Sequence, residues 1–227
     1  MFVRINTNRT THLHTLDDLG VTRGSSAVIS LNEFTYQQGA EIYGEKEPAR
    51  YVYQVKKGAV RSYKLLSDGR RQIAAFHLVG DIFGLANSET HPFTAEAVVE
   101  TTLRLIERQS LETVAVSDAA VTCSLLNMTT DNLQHAENHM LLLGRKTALE
   151  KVAAFLMEMD GRLTAAGVMT LPMNRRDIAD YLGLTLETVS RVLSKMRDGG
   201  VLDFKSKNQR EIVILNRKRL ATFDLQY

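Results

Sequence analysis

The sequence predicts an α+β protein in which an antiparallel β-roll precedes one long helix and a compact C-terminal helical unit. Short apolar alternations run from Ser30 to about Arg108, and apolar residues recur at helical spacing without proline from about Ala119 to Gly161. The charge also changes sign along the chain. We expect an N-terminal arm at residues 1–29, the roll at 30–115, the long helix at 116–144 and the C-terminal unit at 145–227.

The composition is that of a folded globular protein. Of 227 residues, 44% are hydrophobic and 24% charged, which argues against disorder, collagen and a membrane span. The single cysteine, Cys123, excludes an internal disulfide and a zinc or iron–sulfur site built on cysteines of this chain. The first residues contain no continuous apolar core of an export signal, so we expect a cytoplasmic protein that does not bind membranes.

The two parts of the chain differ in charge. Residues 1–144 hold 13 Lys+Arg and 16 Asp+Glu, a net charge of −3, whereas residues 145–227 hold 15 and 10, a net charge of +5. A basic C-terminal unit indicates an anionic partner, most commonly nucleic acid, although a solvated basic face gives the same count.

Strand rhythm and a turn signal define the predicted roll. Tyr51, Tyr53 and Val55 alternate with polar or smaller neighbours, as strand residues facing one side do. The Asp68-Gly69 pair, between two apolar runs, predicts a tight hairpin because it readily supplies positive φ angles.

The long helix carries apolar residues on two sides. One side follows the three-then-four spacing of a two-helix coiled coil, formed by Leu126, Thr129, Leu133, Ala136, Met140 and Leu143. The other side, with Leu125, Met128, Leu141 and Leu142, is expected to rest on the roll. Two apolar sides need two covering surfaces, so we interpret the first as the seam of a homodimer. A monomeric core helix packed between two domains is the alternative.

The segment RRDIADYLGLTLETVSRVLSKM predicts a helix-turn-helix. Asn174 is placed to cap a first short helix, Gly183 to end it in the left-handed conformation, and Thr185 to cap a second helix. Ala179 and Val189, with Gly183 between them, have the small-then-apolar pattern that steeply crossing helices need at their contact. After Gly199 and Gly200, VLDF and REIVIL predict a β-wing.

Three polar residues of the second helix, Glu187, Ser190 and Arg191, share one exposed stripe at i, i+3 and i+4. Such residues can reach base edges in a DNA major groove: arginine donates to guanine, glutamate accepts from the cytosine amino group, and serine contacts either a polar group or a thymine methyl. An ordinary Glu187–Arg191 ion pair on a solvated helix is the alternative. The residues expected to contact the DNA backbone are Arg175, Arg176, Thr185, Thr188, Lys195, Lys205 and Lys207.

The helix-turn-helix with its wing, the middle text GAVRSYKLLSDGRRQIAAFHLVGDIFGL and the intervening helix together resemble the CRP/FNR family of bacterial transcription regulators. The likeness runs from about Ser30 to Leu220, and ETVSR follows the FNR-type pattern E-x-x-S-R. Within that family the chain looks most like the FixK branch of rhizobia and other α-proteobacteria. The resemblance implies a jelly-roll of the cyclic-nucleotide-binding type, a dimerisation helix and a winged helix-turn-helix.

The same resemblance implies a function. A homodimer would bind a TTGA-N6-TCAA-type palindrome of double-stranded DNA, read by Glu187, Ser190 and Arg191, and would activate genes of microaerobic respiration, denitrification or nitrogen fixation through RNA polymerase. FNR-type proteins touch the polymerase at the position of the turn, here Ser67, Asp68, Gly69 and Arg70.

Departures from the family pattern bear on what controls the protein. The N-terminal arm lacks the cysteines of an FNR-type iron–sulfur cluster, and GDIFGLANSETHPFTAEAV lacks the Glu and Arg-Ser of members that bind cyclic nucleotides. We therefore expect no cofactor, as is usual in the FixK branch. Gating by an unidentified ligand or by redox chemistry, and a scaffold with an inactive reading head, stay open as alternatives.

The remaining candidate sites have simpler interpretations. His135 and His139 are four residues apart, but the glutamate of a zinc-protease motif is misplaced, so a solvated helix face is preferred to a zinc site. His77 is interpreted as part of the roll and not as a haem ligand. Cys123 is interpreted as a small buried hydrophobe, with a redox-sensitive thiol left open. The sequence contains neither a Gly-rich phosphate loop nor a nucleophile elbow, so we expect a protein that is not an enzyme.

Overall fold

The computed structural model describes residues 32–85 and 88–224, so the expected N-terminal arm lies outside the described residues. The first unit is a roll. Its described strands are β1 (Asn32–Tyr36), β2 (Glu41–Tyr43), β3 (Tyr51–Lys57), β4 (Val60–Leu65), β5 (Arg71–His77), β6 (Ile82–Phe83), β7 (Thr94–Ala97) and β8 (Thr101–Glu107). They pair antiparallel in two sheets with the orders β1-β8-β3-β6 and β2-β7-β4-β5, which confirms the predicted antiparallel roll.

The predicted hairpin joins β4 to β5. The backbone N–H of Leu66 donates to the carbonyl oxygen of Arg70 at 2.7 Å, and Gly69 has φ +84° with open space around it. Both oxygens of the Asp68 carboxylate accept from Arg70, one from its backbone N–H at 3.0 Å and one from its Nε at 2.7 Å. All four turn residues, Ser67 to Arg70, are exposed at the tip.

Strand β3 differs from a simple alternation because both of its faces are covered. Tyr53 and Val55 point into the roll interior with Phe83, whereas Val52 belongs to a separate apolar cluster with Met128. The helices that follow the roll cover this second face, so the strand buries consecutive residues.

The helices after the roll are α1 (Arg108–Ser117), α2 (Ala119–Arg145) and α3 (Ala148–Leu163). Helix α2, 27 residues long, confirms the predicted long helix. It begins three residues later than expected, because the side chain of Asp118 accepts a hydrogen bond from the backbone N–H of Ala120 at 2.8 Å and so separates α2 from α1.

The C-terminal unit is the expected helix-turn-helix with a wing. It consists of β9 (Thr164–Ala165), β10 (Val168–Thr170), α4 (Arg175–Leu182), α5 (Leu186–Asp198), β11 (Leu202–Phe204), β12 (Glu211–Ile214) and α6 (Arg217–Asp224). The four strands form one sheet in the order β11-β12-β10-β9, and β11 and β12 form the wing.

The roll and the C-terminal unit share one apolar core. The ring of Phe76 on β5 lies 5.2 Å from that of Tyr181 on α4 and 6.4 Å from that of Phe155 on α3, measured between centroids. This shared core fixes the helix-turn-helix against the roll. Among the helices of the described residues, none combines the length and apolar character that crossing a membrane requires.

Candidate nucleic-acid interface

Helix α4 begins at a capping box. The side chain of Asn174 accepts from the backbone N–H of Asp177 at 3.0 Å, and the Asp177 carboxylate accepts from the backbone N–H of Asn174 at 3.2 Å. The predicted cap at Asn174 is thereby confirmed. Ile178 and Leu182, four residues apart, are both buried, so the apolar side of α4 faces the shared core.

Gly183 ends α4 in the left-handed conformation, with φ 62° and ψ 40°. Its backbone N–H donates to Ala179, and the side chain of Thr185 accepts from the backbone N–H of Thr188 at 3.1 Å to start α5. Ala179 and Val189 are buried at the crossing of the two helices. The predicted turn chemistry is confirmed at each of these positions.

The outer stripe of α5 is directed away from this core. Glu187 and Arg191 are exposed and Ser190 is half-buried, and Ser190 and Arg191 line a shallow open groove on the helix surface. Hydrogen bonds from its own backbone N–H and from the side chain of Thr185 lower the pKa of Glu187, so its carboxylate is an ionised acceptor at neutral pH. The charge of Arg191 contributes to this shift, but these two described residues form no ion pair within 4.0 Å. The stripe is therefore available to a ligand.

Most of the residues expected at the DNA backbone are exposed, and Lys195 lines the same groove as Ser190 and Arg191. Those with exposed side chains are Arg176, Thr185, Lys195, Lys205 and Lys207. Thr188 is half-buried, and its hydroxyl lies 3.0 Å from that of Thr185 at the start of α5.

Arg175 has a different environment from the other basic residues. It donates to the side chain of Gln209, and its guanidinium lies 5.4 Å from the centroid of the Phe204 ring. Arg210 similarly donates to the carbonyl oxygen of Pro172 at 3.3 Å. Both arginines thus attach the wing to the start of α4 or the segment before it. Counting basic residues in the sequence could not indicate this structural role.

The expected dimer seam lies open along α2. Leu126, Leu133 and Met140 are 65%, 59% and 66% exposed. Ala136 is also exposed, whereas Leu143 is half-buried, and its Cδ2 atom lies 3.5 Å from where a Cβ at Gly183 would stand. From Leu126 to Met140 the seam is thus an apolar stripe that is open to solvent, whereas its end at Leu143 lies against the α4–α5 turn.

The other side of α2 is covered, with two corrections. Met128 is buried, and Leu125 and Leu142 pack partly against the apolar clusters. The prediction that Leu141 rests on the roll is wrong, because its side chain is exposed. The interpretation of Cys123 as buried is also wrong: it is exposed near the start of α2, where the helix turns this side away from the roll.

The solvated face expected at His135 and His139 is likewise wrong. The His139 ring stacks on Tyr181 of α4 at a centroid distance of 4.1 Å, and the Nε2 atom of His135 lies 3.5 Å from the Tyr181 hydroxyl. Burial lowers the pKa of His139 to about 4. The C-terminal half of α2 therefore packs on the helix-turn-helix. No cluster of three or more metal-binding side chains occurs within residues 32–85 and 88–224.

Aromatic rings fill the interior of the roll. His77 stacks on Phe83 at a centroid distance of 4.6 Å and lies within 2.8 Å of the Ser62 hydroxyl. Burial lowers the pKa of His77 to about 4, so it is a neutral residue within the roll. The carboxylate of Asp81, at the start of the segment DIFGL, pairs with Arg162 of α3. That carboxylate therefore connects the roll to the C-terminal part of the chain.

Charged side chains also connect the roll to α4, which sequence reasoning missed. Arg61 and Arg71, on β4 and β5, pair with the carboxylates of Asp177 and Asp180 on α4. More than 100 positions of sequence separate the partners, and no local pattern in the sequence signals a contact over that separation.

Two family models match the chain. A cyclic nucleotide-binding domain matches residues 33–118, and a Crp-like helix-turn-helix domain matches residues 150–223. Curated relatives include the nitrogen fixation regulation protein FixK of Rhizobium meliloti, 41% identical over 179 residues that cover 79% of this chain and 82% of the relative. FixK of Azorhizobium caulinodans is 43% identical over 83% of this chain and 77% of its own. The solved structure of FixK2 from Bradyrhizobium japonicum is 60% identical, covers 86% of this chain and 98% of that one, and superposes with a TM-score of 0.83.

Proposed function

The chain belongs to the CRP/FNR family as a FixK-like transcription regulator, and from that premise we propose that it binds a TTGA-N6-TCAA-type palindrome as a homodimer, without a cofactor. The observation that carries the proposal is the solvent-facing stripe of Glu187, Ser190 and Arg191 on α5, the second helix of the helix-turn-helix, whose opposite side is buried. Residues 30–115 would form the roll domain, 116–144 the dimerisation helix and 145–227 the DNA-binding domain.

Base reading follows from the chemistry of the stripe. Arg191 would donate to the two acceptors on the major-groove edge of guanine, and the ionised Glu187 would accept from a cytosine amino group. Ser190 would contact the neighbouring thymine. Arg176, Lys195, Lys205 and Lys207, together with the hydroxyls of Thr185 and Thr188, would contact phosphates and fix the register. Arg175, which lies against the wing, would also contact a phosphate of the DNA backbone.

Dimerisation would use the open seam of α2. A two-helix coiled coil would cover Leu126, Leu133 and Met140 with the same residues of a second copy, with Ala136 and Leu143 beside them. It would also place the two α5 helices on one face of the duplex, about one helical turn or roughly 34 Å apart.

Activation would use the hairpin tip. Ser67, Asp68, Gly69 and Arg70 are exposed, so the turn is accessible to RNA polymerase. Alanine at Asp68 is expected to lower transcription in a reconstituted assay while operator binding stays intact. Loss of both activities would contradict this role. The names of the curated relatives support nitrogen-fixation genes as targets, with microaerobic respiration or denitrification as related programmes.

A gel-shift titration without added ligand tests the core of the proposal. The purified protein is expected to bind a TTGA-N6-TCAA duplex and to prefer it over a scrambled duplex of equal length. Binding that requires an added effector or a change of redox state would favour a gated regulator instead. No specific binding under any of these conditions would contradict a DNA-reading function.

The Arg191 contact has its own internal control. Arg191→Ala is expected to cost about 1 to 3 kcal/mol per half-site on the palindrome. On a duplex in which the guanine of each half-site is replaced, the same substitution should cost little, because the contact is already lost. Equal losses on both duplexes would mean that Arg191 does not read this base.

A further inference from the structure

An alternating row of charges joins the roll to the first helix of the helix-turn-helix. Arg61 pairs with Glu96 on β7 and, through Nη1, with the Oδ1 atom of Asp177 at 2.9 Å. The Nη2 atom of Arg71 lies 2.6 Å from the same Oδ1 atom and 2.8 Å from the Oδ2 atom of Asp180. Two arginines on adjacent strands thus hold two carboxylates one turn apart on α4.

The row is largely removed from solvent. The Asp177 side chain is 1% exposed, and those of Arg61 and Arg71 are 13% and 19% exposed. Charges with so little access to water need their partners, because a buried charge left alone is strongly unfavourable. The relative position of these strands and α4 is therefore restricted by electrostatics as well as by the shared apolar core.

Asp177 also takes part in the capping box of α4, so its contact with the arginines acts at a defined end of that helix. Its Oδ2 atom accepts from the backbone N–H of Asn174 and so closes the capping box that starts α4. At the other end of α4, the side-chain amide of Gln72 donates to the carbonyl oxygen of Tyr181 at 3.2 Å. Strands β4 and β5 therefore hold both ends of α4. These contacts fix the direction of the helix axis as well as the distance between α4 and the roll.

The contact leaves the reading stripe free. Arg61 and Arg71 act on α4, whereas Glu187 and Arg191 stand exposed on α5. A contact that blocked DNA binding would cover the stripe or turn it towards the roll. This one holds the helix behind the stripe and leaves its outer face open.

We propose that Arg61 and Arg71 are positioning residues for DNA reading, which set the orientation of the α4–α5 unit on the roll through Asp177 and Asp180. The inference rests on the proposed function. Two reading helices can enter successive turns of one duplex only if both are held at the correct angle. The roll would thereby contribute to operator affinity without touching DNA.

Charge reversal and charge exchange test this role. Arg71→Glu is expected to weaken binding to the palindrome about tenfold or more, within the usual range of coupling between sites. Asp180→Lys should also weaken it, although its added positive charge on its own would favour DNA. The double variant with both changes should recover part of the affinity, because the pair with position 180 is restored with opposite sign while the glutamate at position 71 still faces the carboxylate of Asp177.

Arg104→Glu is the matched control. Arg104 also lies on the roll, on β8, its side chain is 22% exposed, and its ion-pair partner is Glu33 on β1 at 2.9 Å and not a residue of α4. The same charge reversal there is expected to leave the affinity for the palindrome close to that of the unchanged protein. Affinity for a scrambled duplex should be equal in Arg71→Glu and Arg104→Glu, since a loss of positioning affects only specific binding.

Amide hydrogen exchange of α4 gives a readout that does not depend on DNA. Faster exchange in Arg71→Glu, partly reversed in the double variant, would show that Arg71 holds α4 in place even if the unchanged protein binds no duplex, so failure of the positioning role and failure of the proposed function can be distinguished. If Arg71→Glu does not fold, Arg71→Gln removes the charge without adding repulsion. Unchanged exchange, unchanged or tighter specific binding in the Arg71 variant, or a double variant no better than the single ones, would each overturn the proposal.

Discussion

The open seam of α2 makes a quantitative prediction for Leu133. Its side chain is 59% exposed in the single chain, and full burial of a leucine is worth about 1.5 to 3 kcal/mol. Covering the exposed part would therefore contribute about 1 to 2 kcal/mol per copy, or about 2 to 4 kcal/mol in a symmetric dimer. Leu133→Ala removes most of that contribution, about 1.5 to 3 kcal/mol, while alanine keeps the helix favourable, so the dimer dissociation constant should rise about 10- to 140-fold.

Sedimentation equilibrium over a range of concentrations measures this change directly. Asn127→Ala is the control, because Asn127 is an exposed position of α2 outside the seam. Circular dichroism should show equal helix content in both variants. A dimer constant for Leu133→Ala equal to that of the control, or an unchanged protein that stays monomeric at operator-saturating concentrations, would refute the assignment of this seam.

Three further predictions concern stability and salt dependence. Gly183→Ala should lower the free energy of unfolding by about 1 to 2 kcal/mol in urea titrations, because alanine is strained at φ 62° although the space beside it is sufficient. Partial burial lowers the pKa of the half-buried His139 from 6.5 to about 4, so its contribution to stability is present above pH 6.5 and is lost as the pH falls towards 4. His139→Phe, which keeps a ring stacked on Tyr181 of α4, should show a smaller loss of stability over that range in urea titrations. Lys207→Ala should weaken binding to the palindrome and to a scrambled duplex alike, and should reduce the slope of log affinity against log salt by about one.

The helix-turn-helix could be predicted almost residue by residue because its determinants are local. Asn174, Gly183 and Thr185 each act on backbone groups within four positions of themselves, through caps and one left-handed residue. The hairpin at Asp68-Gly69 is local for the same reason. Patterns of this kind depend on covalent geometry and short-range hydrogen bonds, which the sequence displays directly.

The errors fall where a residue's surroundings depend on another element. His139 and Cys123 lie on the same helix, and no spacing rule states that the first meets α4 while the second faces solvent. Leu141 is apolar at a plausible position and still lies exposed. Periodicity shows which residues share a side of a helix, but it does not show which other element, if any, covers that side at each position along the helix.

Helix α2 contacts both the roll and the helix-turn-helix and so links the two units. Its first half packs on the roll through Met128, and its second half packs on α4 through His139 and on the α4–α5 turn through Leu143. Leu143 is also the last residue of the predicted seam, so pairing of two copies would bear on the turn that begins the reading helix. Since β4 and β5 also hold α4, the spacing of two reading heads would be set by rigid contacts within each protomer together with the seam. A roll in such an arrangement would contribute to operator recognition as a scaffold, and that role would not depend on a bound ligand.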